Sequence, residues 1–470
     1  MTIPSIGYHQ DLSSSSIPFS PTGNSPSYIN SNNNSNSSTF SPQPTTRSYS
    51  SSSSLSSSPR KPKTNITKTN SSFVQKIITN GQLAKILVER TSEDTNLFYN
   101  CGSSFVWMDA ACKPMEPLSR IIFNRAFPTS HDVNLLTRGS AHLDIIIGFT
   151  SGDIIWFDPL CNKYGRINKG GVMNSSSITM IRWLQGSENL FMAAFQDGSI
   201  MLFDKEKEDE LFNPNDHDKN VTTTSNHTSS STSPPSSFRI TKPSAKISAK
   251  SNPVAHWKLS NQSITAFAFS PDCQHVAVVG LDGYMRVINF VNEKLLDVYE
   301  SYYGGLLCVS WSPDGRYILA GGQDDLVTIW AFREQRIIAR CQGHSSWVTS
   351  VAFDPWRCDE RVYRFASVGE DAKLILWDFS VPALHLPKTV INTRHRGASV
   401  SSMTNGNVLQ TVIDRPATLH PVVSKTEVAI LQPTMVKTIH ADPCVGVYFR
   451  EDAIITTDKR GRVCVWKRPS

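Results

Sequence analysis

The stretch from Gly343 to Asp378 reads GHSSWVTSVAFDPWRCDERVYRFASVGEDAKLILWD and decides the fold of this chain. It contains three short apolar runs, and a polar turn from Gly369 to Asp371 separates the last two. A Gly-His pair followed about thirty residues later by Trp-Asp is typical of one four-stranded propeller blade. The stretch therefore predicts one blade, and the same pattern recurs in both directions along the chain.

The recurring unit is a short β run that ends in an aromatic or bulky apolar residue. In several copies an aspartate lies six positions before that residue, in a polar segment that favours a tight turn between strands. Most intervals between copies match one blade of about 40 to 50 residues. The pattern predicts an all-β fold, a seven-bladed WD-repeat β-propeller. The predicted third strands of the blades end at Trp107, Phe157, Phe203, Ile288, Trp330, Trp377 and Trp466.

Three segments of low apolar content interrupt or precede the repeats. Residues 1–72 are rich in Ser, Asn, Thr and Pro, and residues from about 205–253 and 383–425 are polar and unpatterned. Such segments bury too little apolar surface to offset chain entropy. We expect a disordered N-terminal tail over residues 1–72 and a propeller over residues 73–470. The two long intervals between copies then hold disordered loops, not additional blades.

Closure of the ring requires a partner for the exposed edge of the last blade. An unpaired edge strand is a liability that folded proteins cover. The apolar run from Leu83 to Arg90 lies near the start of the ordered sequence. We expect this run to supply the outer strand of the seventh blade.

Bulk composition limits the class of protein. The net charge of +6 is mild, and the nine cysteines are scattered without a CxxC pair. An odd count without a framework fits a reducing compartment. The N-terminus lacks the pattern of a signal peptide, and no run reaches the roughly 18 apolar residues of a membrane span. We expect a cytoplasmic or nuclear protein that binds neither membranes nor nucleic acid.

Four residues of the opening stretch invite comparison with a catalytic triad: His344, Ser367, Asp371 and Trp377. In a propeller blade of this kind the same four positions form a buried hydrogen-bonded network, in which every polar group is satisfied. A nucleophilic serine would have to face a cleft, whereas Ser367 is predicted on an inner part of the blade. We therefore expect a structural network and no catalytic residues.

Other blades keep only parts of this set. Blade five has Tyr302 at the histidine position, and blade seven has His440, Thr456 and Trp466 but Arg460 at the aspartate position. Structural redundancy tolerates such variation, whereas catalysis does not. The chain also lacks a phosphate-binding glycine loop and metal-ligand spacing. The sequence thus predicts neither a cofactor nor a metal site.

Loops that enter the inner strands should cluster on the face that carries His344. Two of these loops hold aromatic residues, namely Tyr302 and Tyr303 before blade five and Trp347 before blade six. Trp and Tyr dominate interface energetics, so these residues are predicted to bind a protein partner. Packing of the same rings on their own blades is the alternative.

Several segments carry features that the fold does not dictate. They are SYYGGLLCVSWSPDG at 301–315, GGQDDLVTIW at 321–330, Gly343-His344 through Asp354-Pro355, and YRFASVG at 363–369. Together they closely resemble the CreC-type family of WD-repeat proteins, which comprises the fungal catabolite-repression protein CreC and its animal counterparts. The resemblance is strong over about residues 260–380 and weaker at 141–204 and 436–468.

The resemblance implies a non-catalytic scaffold that binds a ubiquitin-specific protease and activates it allosterically. Animal members act beside a second WD-repeat protein, and fungal members are tied to carbon catabolite repression. The resemblance also implies that Tyr303 and Trp347 meet the protease, although Tyr303 stands where the family commonly has Phe. The alternative is a general interaction propeller, such as a ubiquitin-ligase substrate receptor or a transcriptional co-repressor subunit.

Overall fold

Seven radial sheets form a ring in the computed structural model. The model describes residues 12–15 (main chain only), 62–67, 71–89, 96–110, 116–139, 142–214, 237–243, 250–380, 382, 384 and 417–468. The first strands of successive blades contact one another, which places them around the central axis. The inner strands of blades one to seven are Leu12–Ser15, Pro128–Val133, Ile178–Trp183, Ile264–Phe269, Leu306–Trp311, Val348–Phe353 and Cys444–Phe449.

The remaining strands follow outward in antiparallel order within each blade. The second strands are Asn96–Cys101, Ile145–Phe149, Leu190–Phe195, His275–Gly280, Tyr317–Gly322, Tyr363–Gly369 and Ala453–Asp458. The third strands are Ser104–Asp109, Ile154–Asp158, Ser199–Asp204, Tyr284–Asn289, Leu326–Ala331, Lys373–Phe379 and Val463–Lys467. The fourth strands of blades one to six are Ser119–Phe123, Lys163–Ile167, Ala255–Lys258, Lys294–Glu300, Arg336–Gln342 and Met435–Thr438.

These bounds confirm the predicted all-β fold with seven blades, because each predicted third strand is a third strand of the ring. The alternation that predicted them reflects packing of neighbouring sheets face to face. For example, Val327 and Ile329 of blade five share one buried cluster with Phe365 and Trp377 of blade six, whose own rings stack with centroids 5.9 Å apart. No helix in the described part of the chain is long and apolar enough to cross a membrane.

The expectation that Leu83 to Arg90 forms the outer strand of blade seven is wrong. The segment is the helix Leu83–Glu89, and the side chain of Asn80 accepts a hydrogen bond from the Gln82 amide (2.9 Å) at its start. Leu83 is buried, and Ile86 and Leu87 pack beside it on the core. Apolar residues at spacings of three and four suit one face of a helix, not one face of a strand.

The preceding strand, Val74–Thr79, instead forms a fifth strand at the outer edge of blade one. Short strands also cover the outer edges of blades two to five. They are Thr64–Asn65, Arg239–Thr241, Thr418–His420 and Ala429–Leu431, in the order of the blades. A further pair, Glu208–Asp209 and Ser251–Asn252, forms a parallel two-stranded ladder beside blade three, and a short 3-10 helix spans Lys169–Gly171.

Both long insertions lie between the third and fourth strands of a blade, in blades three and six. Residues 215–236, 244–249 and 385–416 lie outside the described residues, as does nearly all of residues 1–61. For these residues the predicted tail and loops stay predictions, whereas six described strands lie inside the predicted bounds: Leu12–Ser15, Thr64–Asn65, Glu208–Asp209, Arg239–Thr241, Ser251–Asn252 and Thr418–His420. The described ends of the second insertion are notable because they run along blades four and five before Met435–Thr438 completes blade six.

The ring closes through side-chain packing between its first and last blades. Leu97 of blade one and Ile455 of blade seven form a small apolar cluster, with Tyr99 and Tyr448 beside it. Within the described residues, blade seven has three strands, and Val465 on its third strand is 54% exposed. The cluster at this junction has fewer buried apolar residues than the cluster between blades six and seven.

Candidate protein-binding face

The four predicted residues of blade six form one continuous hydrogen-bonded chain. Nδ1 of His344 lies 3.0 Å from Oδ1 of Asp371, and Nε2 lies 2.8 Å from Oγ of Ser367. Trp377 donates from Nε1 to the same Oγ at 2.9 Å. The Asp371 carboxylate also accepts from the Ser345 amide at 3.0 Å. This chain joins the loop before the inner strand to the second and third strands.

The charges of this network follow from its burial. The side chains of His344 and Asp371 are only 1% and 5% exposed. Burial lowers the pKa of His344 against the opposing effect of Asp371. Burial alone would raise the pKa of Asp371, but the Ser345 amide and His344 lower it overall. The pattern fits a neutral imidazole that donates from Nδ1 to Asp371 and accepts at Nε2 from Ser367.

This arrangement resembles a catalytic triad in its contacts but not in its surroundings. Ser367 is fully buried, and its oxygen already accepts from Trp377. A substrate carbonyl therefore cannot approach this hydroxyl without disruption of the blade. Among the described residues, no group of three His, Cys, Asp or Glu side chains is arranged to hold a metal ion.

Blade seven repeats the network with one substitution that the sequence prediction placed wrongly. Thr456 takes the place of the serine, with Nε2 of His440 and Nε1 of Trp466 each 2.8 Å from its Oγ1. The nearby carboxylate is that of Asp458: its Oδ2 lies 3.3 Å from Nδ1 of His440, but this oxygen makes no hydrogen bond within the described residues. The expected vacancy at Arg460 is thus filled by an aspartate two residues earlier.

The difference arises from the position of the carboxylate in the turn. Asp458 is the last residue of the second strand, and its Oδ1 accepts from the amides of Arg460 and Arg462 at 2.9 and 3.0 Å. Arg460 points outward and pairs with Asp442 at 3.0 Å, with its side chain 70% exposed. An aspartate at the strand end therefore lies beside the histidine ring, as the turn aspartate does in blade six, but without its hydrogen bond to the ring.

Blade five lacks the network altogether. Ala320 stands where blade six has Ser367, so Nε1 of the buried Trp330 has no hydrogen-bond partner among the residues that the structure describes. Tyr302, at the predicted histidine position, lies at the surface instead. The loop before blade five must therefore be held by other contacts.

Those contacts come from the outer edge of the blade. The guanidinium of Arg340, on the fourth strand, lies 4.5 Å from the ring centroid of Tyr302 and donates to the Val423 carbonyl at 2.6 Å. Nζ of Lys425 lies 4.8 Å from the same ring. Burial raises the pKa of Asp324 to about 6, against a lowering effect of Arg340. The end of the second insertion thus becomes part of this face.

Tyr303 stands out from this loop with 73% of its surface exposed. The main chain beneath it is fixed, because Ser301 donates to the Gly304 carbonyl at 2.7 Å and the Gly305 amide donates to Gln323 at 2.8 Å. Gly304 adopts φ of 64°, a conformation that glycine accepts without strain. A rigid loop therefore presents a free aromatic ring.

Trp347 occupies the equivalent loop of the next blade and is 43% exposed. Its carbonyl accepts from the Glu370 amide at 2.9 Å, so its main chain is tied to the turn that carries Asp371. Tyr303 and Trp347 thus lie on loops of adjacent blades at the same end of the strands. The alternative was that these rings pack on their own blades. The ring of Tyr303 is mostly exposed, whereas Trp347 and Tyr302 are partly covered.

The residues that support this face were not predicted from the sequence. Arg340, Gln323 and Lys425 lie behind or beside the exposed rings. A signal existed for Arg340, because it is a charged residue in the middle of the strand Arg336–Gln342 and is buried. A buried charge needs a partner, and that partner came from a distant segment.

The fold and the repeated strands define the chain as a WD-repeat β-propeller. The WD domain, G-beta repeat family matches residues 251–289, 293–331 and 335–378. The chain is also 38% identical over 413 residues to the UBP9-binding protein bun62 of Schizosaccharomyces pombe, an alignment that covers 85% of this chain and 75% of that protein. This similarity shows that the chain belongs to the CreC-type family of WD-repeat proteins, as the segments at 301–315 and 343–355 had indicated.

Proposed function

We propose that this chain is a non-catalytic scaffold that binds a ubiquitin-specific protease and raises its activity. The binding surface is the face that carries Tyr303 and Trp347, with Tyr302 at its margin. The proposed activation is allosteric, since a surface that binds the active state of the protease more tightly shifts the population toward that state.

The observation that carries the proposal is the pairing of exposed aromatic rings with fixed main chain. Tyr303 and Trp347 are 73% and 43% exposed, while hydrogen bonds hold the loops beneath them. An interface gains affinity when anchors are ordered before binding, since less conformational entropy is lost. The name of the fission-yeast relative, UBP9-binding protein, supports a protease of this class as the partner.

A binding experiment tests the proposal directly. The full chain is tagged, purified from its own cells and assayed for a co-purifying ubiquitin-specific protease, followed by measurement of that protease's activity on a fluorogenic ubiquitin substrate. We expect the variant Tyr303→Ala/Trp347→Ala to lose the protease and the activation while its thermal midpoint stays unchanged.

A matched control uses exposed apolar residues at the opposite face. Leu135 and Leu136 follow the inner strand of blade two and are 50% and 54% exposed. The variant Leu135→Ala/Leu136→Ala should retain the protease. Recovery of cullin-adaptor or co-repressor subunits without any protease would instead favour a ubiquitin-ligase receptor or a co-repressor propeller.

The finer parts of the proposal concern the cell. We infer action in the cytoplasm or nucleus, beside a second WD-repeat protein, and in fungi a link to carbon catabolite repression. Deletion of the gene in a fungal host should alter repression of a glucose-repressed reporter, and the binding-deficient variant should fail to restore it. If that variant fully restored repression of the reporter, the cellular role would not depend on binding of the protease.

A further inference from the structure

A cavity of about 450 Å³ lies at the outer part of blade three, away from the loops that carry Tyr303 and Trp347. Its walls come from the fourth strand Ala255–Lys258, the edge strand Arg239–Thr241 and the turn at Asp197. This volume is in the range of small-molecule sites, which run from about 300 to 1,000 Å³. The proposed protease-binding function assigns no role to this cavity.

The pairing register places two cations side by side on one wall. Arg239 lies directly opposite Lys258, and Thr241 lies directly opposite His256. Directly opposed residues share a face of the sheet, so all four side chains are on the same side. Trp257, between them in sequence, points the other way into the core. Like charges directly opposite each other destabilise a strand pair unless an anion neutralises them.

Among the residues that line the cavity, the one anion is the carboxylate of Asp197, and it makes no ion pair with either cation. Neither Arg239 nor Lys258 has an ion pair within the described part of the chain, and Nζ of Lys258 donates to the main-chain carbonyl of Asp197 at 2.6 Å. The Asp197 carboxylate lines the cavity but is already engaged. Ser199 donates to its Oδ1 from both amide and hydroxyl, at 2.9 and 2.6 Å, and Asn174 donates to its Oδ2 at 3.0 Å.

The deeper wall carries polar groups that lack hydrogen bonds. Thr241 and His256 are 4% and 6% exposed, and Oγ1 of Thr241 and Nδ1 of His256 have no partner among the described residues. Such groups in native structures are commonly satisfied by a ligand or an ordered water. Burial lowers the pKa of His256 to about 4, so this ring is a neutral hydrogen-bonding group near neutral pH.

We propose that this cavity binds a phosphomonoester. The guanidinium of Arg239 and the ammonium of Lys258 offer charge-assisted hydrogen bonds to a phosphomonoester, which carries a charge of nearly −2 near neutral pH. With the Asp197 carboxylate, the two cations leave the lining residues with a net charge of +1. The polar side chains of Ser237 and Thr241 add hydrogen-bond capacity around the same space. The phosphomonoester can belong to a small metabolite or to a phosphorylated serine, and the size of the cavity accommodates either.

Titration of the full chain tests this site. Inorganic phosphate, ribose 5-phosphate and a capped phosphoserine tetrapeptide are each added at constant ionic strength, and binding is followed by calorimetry and by NMR. We expect saturable binding of at least one phosphomonoester, and at least about a tenfold loss of affinity in Arg239→Gln/Lys258→Gln. Preference for the sugar phosphate or for the peptide identifies the source.

Lys242 provides the matched control, because it follows the same edge strand but pairs with Glu293 instead of lining the cavity. Lys242→Gln removes one positive charge nearby and should leave the affinity unchanged. An equal loss of affinity in Lys242→Gln, or no saturation by any of the three probes, overturns the proposal. Thermal midpoints of the variants verify that each remains folded.

Discussion

The guanidinium of Arg340 lies 4.5 Å from the ring centroid of Tyr302 and joins the outer edge of blade five to the loop that presents Tyr303. Arg340 also donates to the Val423 carbonyl at 2.6 Å, so the contact extends to the segment that follows the second insertion. Tyr302 therefore helps to hold the loop that presents Tyr303, and its own ring is less available to a partner. Replacement of Arg340 should therefore affect binding, whereas replacement of Arg336 on the same strand should not.

Replacement of Arg340 should weaken partner binding through the shape of the loop. In Arg340→Met the cation–π contact and the hydrogen bond to Val423 are lost, and we expect protease affinity to fall by about threefold to tenfold. Arg336, exposed on the same strand, serves as the control, and Arg336→Met should bind as the wild type does. Calorimetric affinity with each variant is the measurement, and equal affinity for both would refute the support role.

Removal of the hydroxyl at the centre of the blade-six network should cost stability and not activity. Ser367→Ala leaves Nε1 of Trp377 and Nε2 of His344 without their partner, at about 2 to 4 kcal/mol of unfolding free energy. Ser345→Ala changes an exposed hydroxyl and should cost less than about 0.5 kcal/mol. Urea unfolding of the two variants measures the difference, and similar values for both would show that the network contributes little.

Blade seven offers a direct comparison between Asp458 and Arg460. Asp458→Ala removes the carboxylate beside His440 and the acceptor of two amides, so we expect a loss of about 2 to 4 kcal/mol. Arg460→Ala removes an exposed ion pair and should change stability by less than about 0.5 kcal/mol. Chemical denaturation measures both losses. A larger loss of stability in Arg460→Ala than in Asp458→Ala would show that the side chain at position 460 matters more for the stability of blade seven.

The buried carboxyl of Asp324 predicts a dependence of stability on pH. Burial raises its pKa from 3.8 to about 6 in the folded chain. The protonated form is thus favoured by folding, and this contribution is complete below the unfolded pKa and is lost as pH rises through the folded pKa. Asp324→Asn removes the charge and can keep the acceptor for the Leu326 amide.

We expect Asp324→Asn to exceed the wild type in unfolding free energy at about pH 7.5, on the order of 2 kcal/mol. The gain should shrink as pH falls below about 6 and approach zero at about pH 3, where the carboxyl is largely protonated in both states. Denaturant unfolding at both pH values measures this difference. A gain that is the same at both would mean that charge burial is not its cause.

The third strands were predictable because each carries local information. Alternating apolar residues, a polar turn and a terminal aromatic lie within a few positions of one another, as in Leu374 to Trp377 after Asp371. Packing of neighbouring blades then selects the same alternation in every copy. The exposed rings of Tyr303 and Trp347 were predictable from their place on loops that enter inner strands.

Other features depend on contacts that sequence spacing does not encode. The helix Leu83–Glu89 has only seven residues, too few for its period to outweigh an interpretation as a strand. Thr418–His420 and Ala429–Leu431 are three-residue strands in parallel pairing, with partners more than eighty positions away. Asp458 was missed because it lies two positions before the expected aspartate position, and sequence spacing does not show that a carboxylate there still reaches His440.

The edge strands that follow the second insertion have a consequence for chain connectivity. Thr418–His420, Ala429–Leu431 and Met435–Thr438 pair with three successive blades. A cut in the backbone between Leu384 and Ala417 would therefore leave two fragments joined by three separate ladders. The two pieces, expressed as independent polypeptides that meet at this cut, should assemble into one ring by fragment complementation.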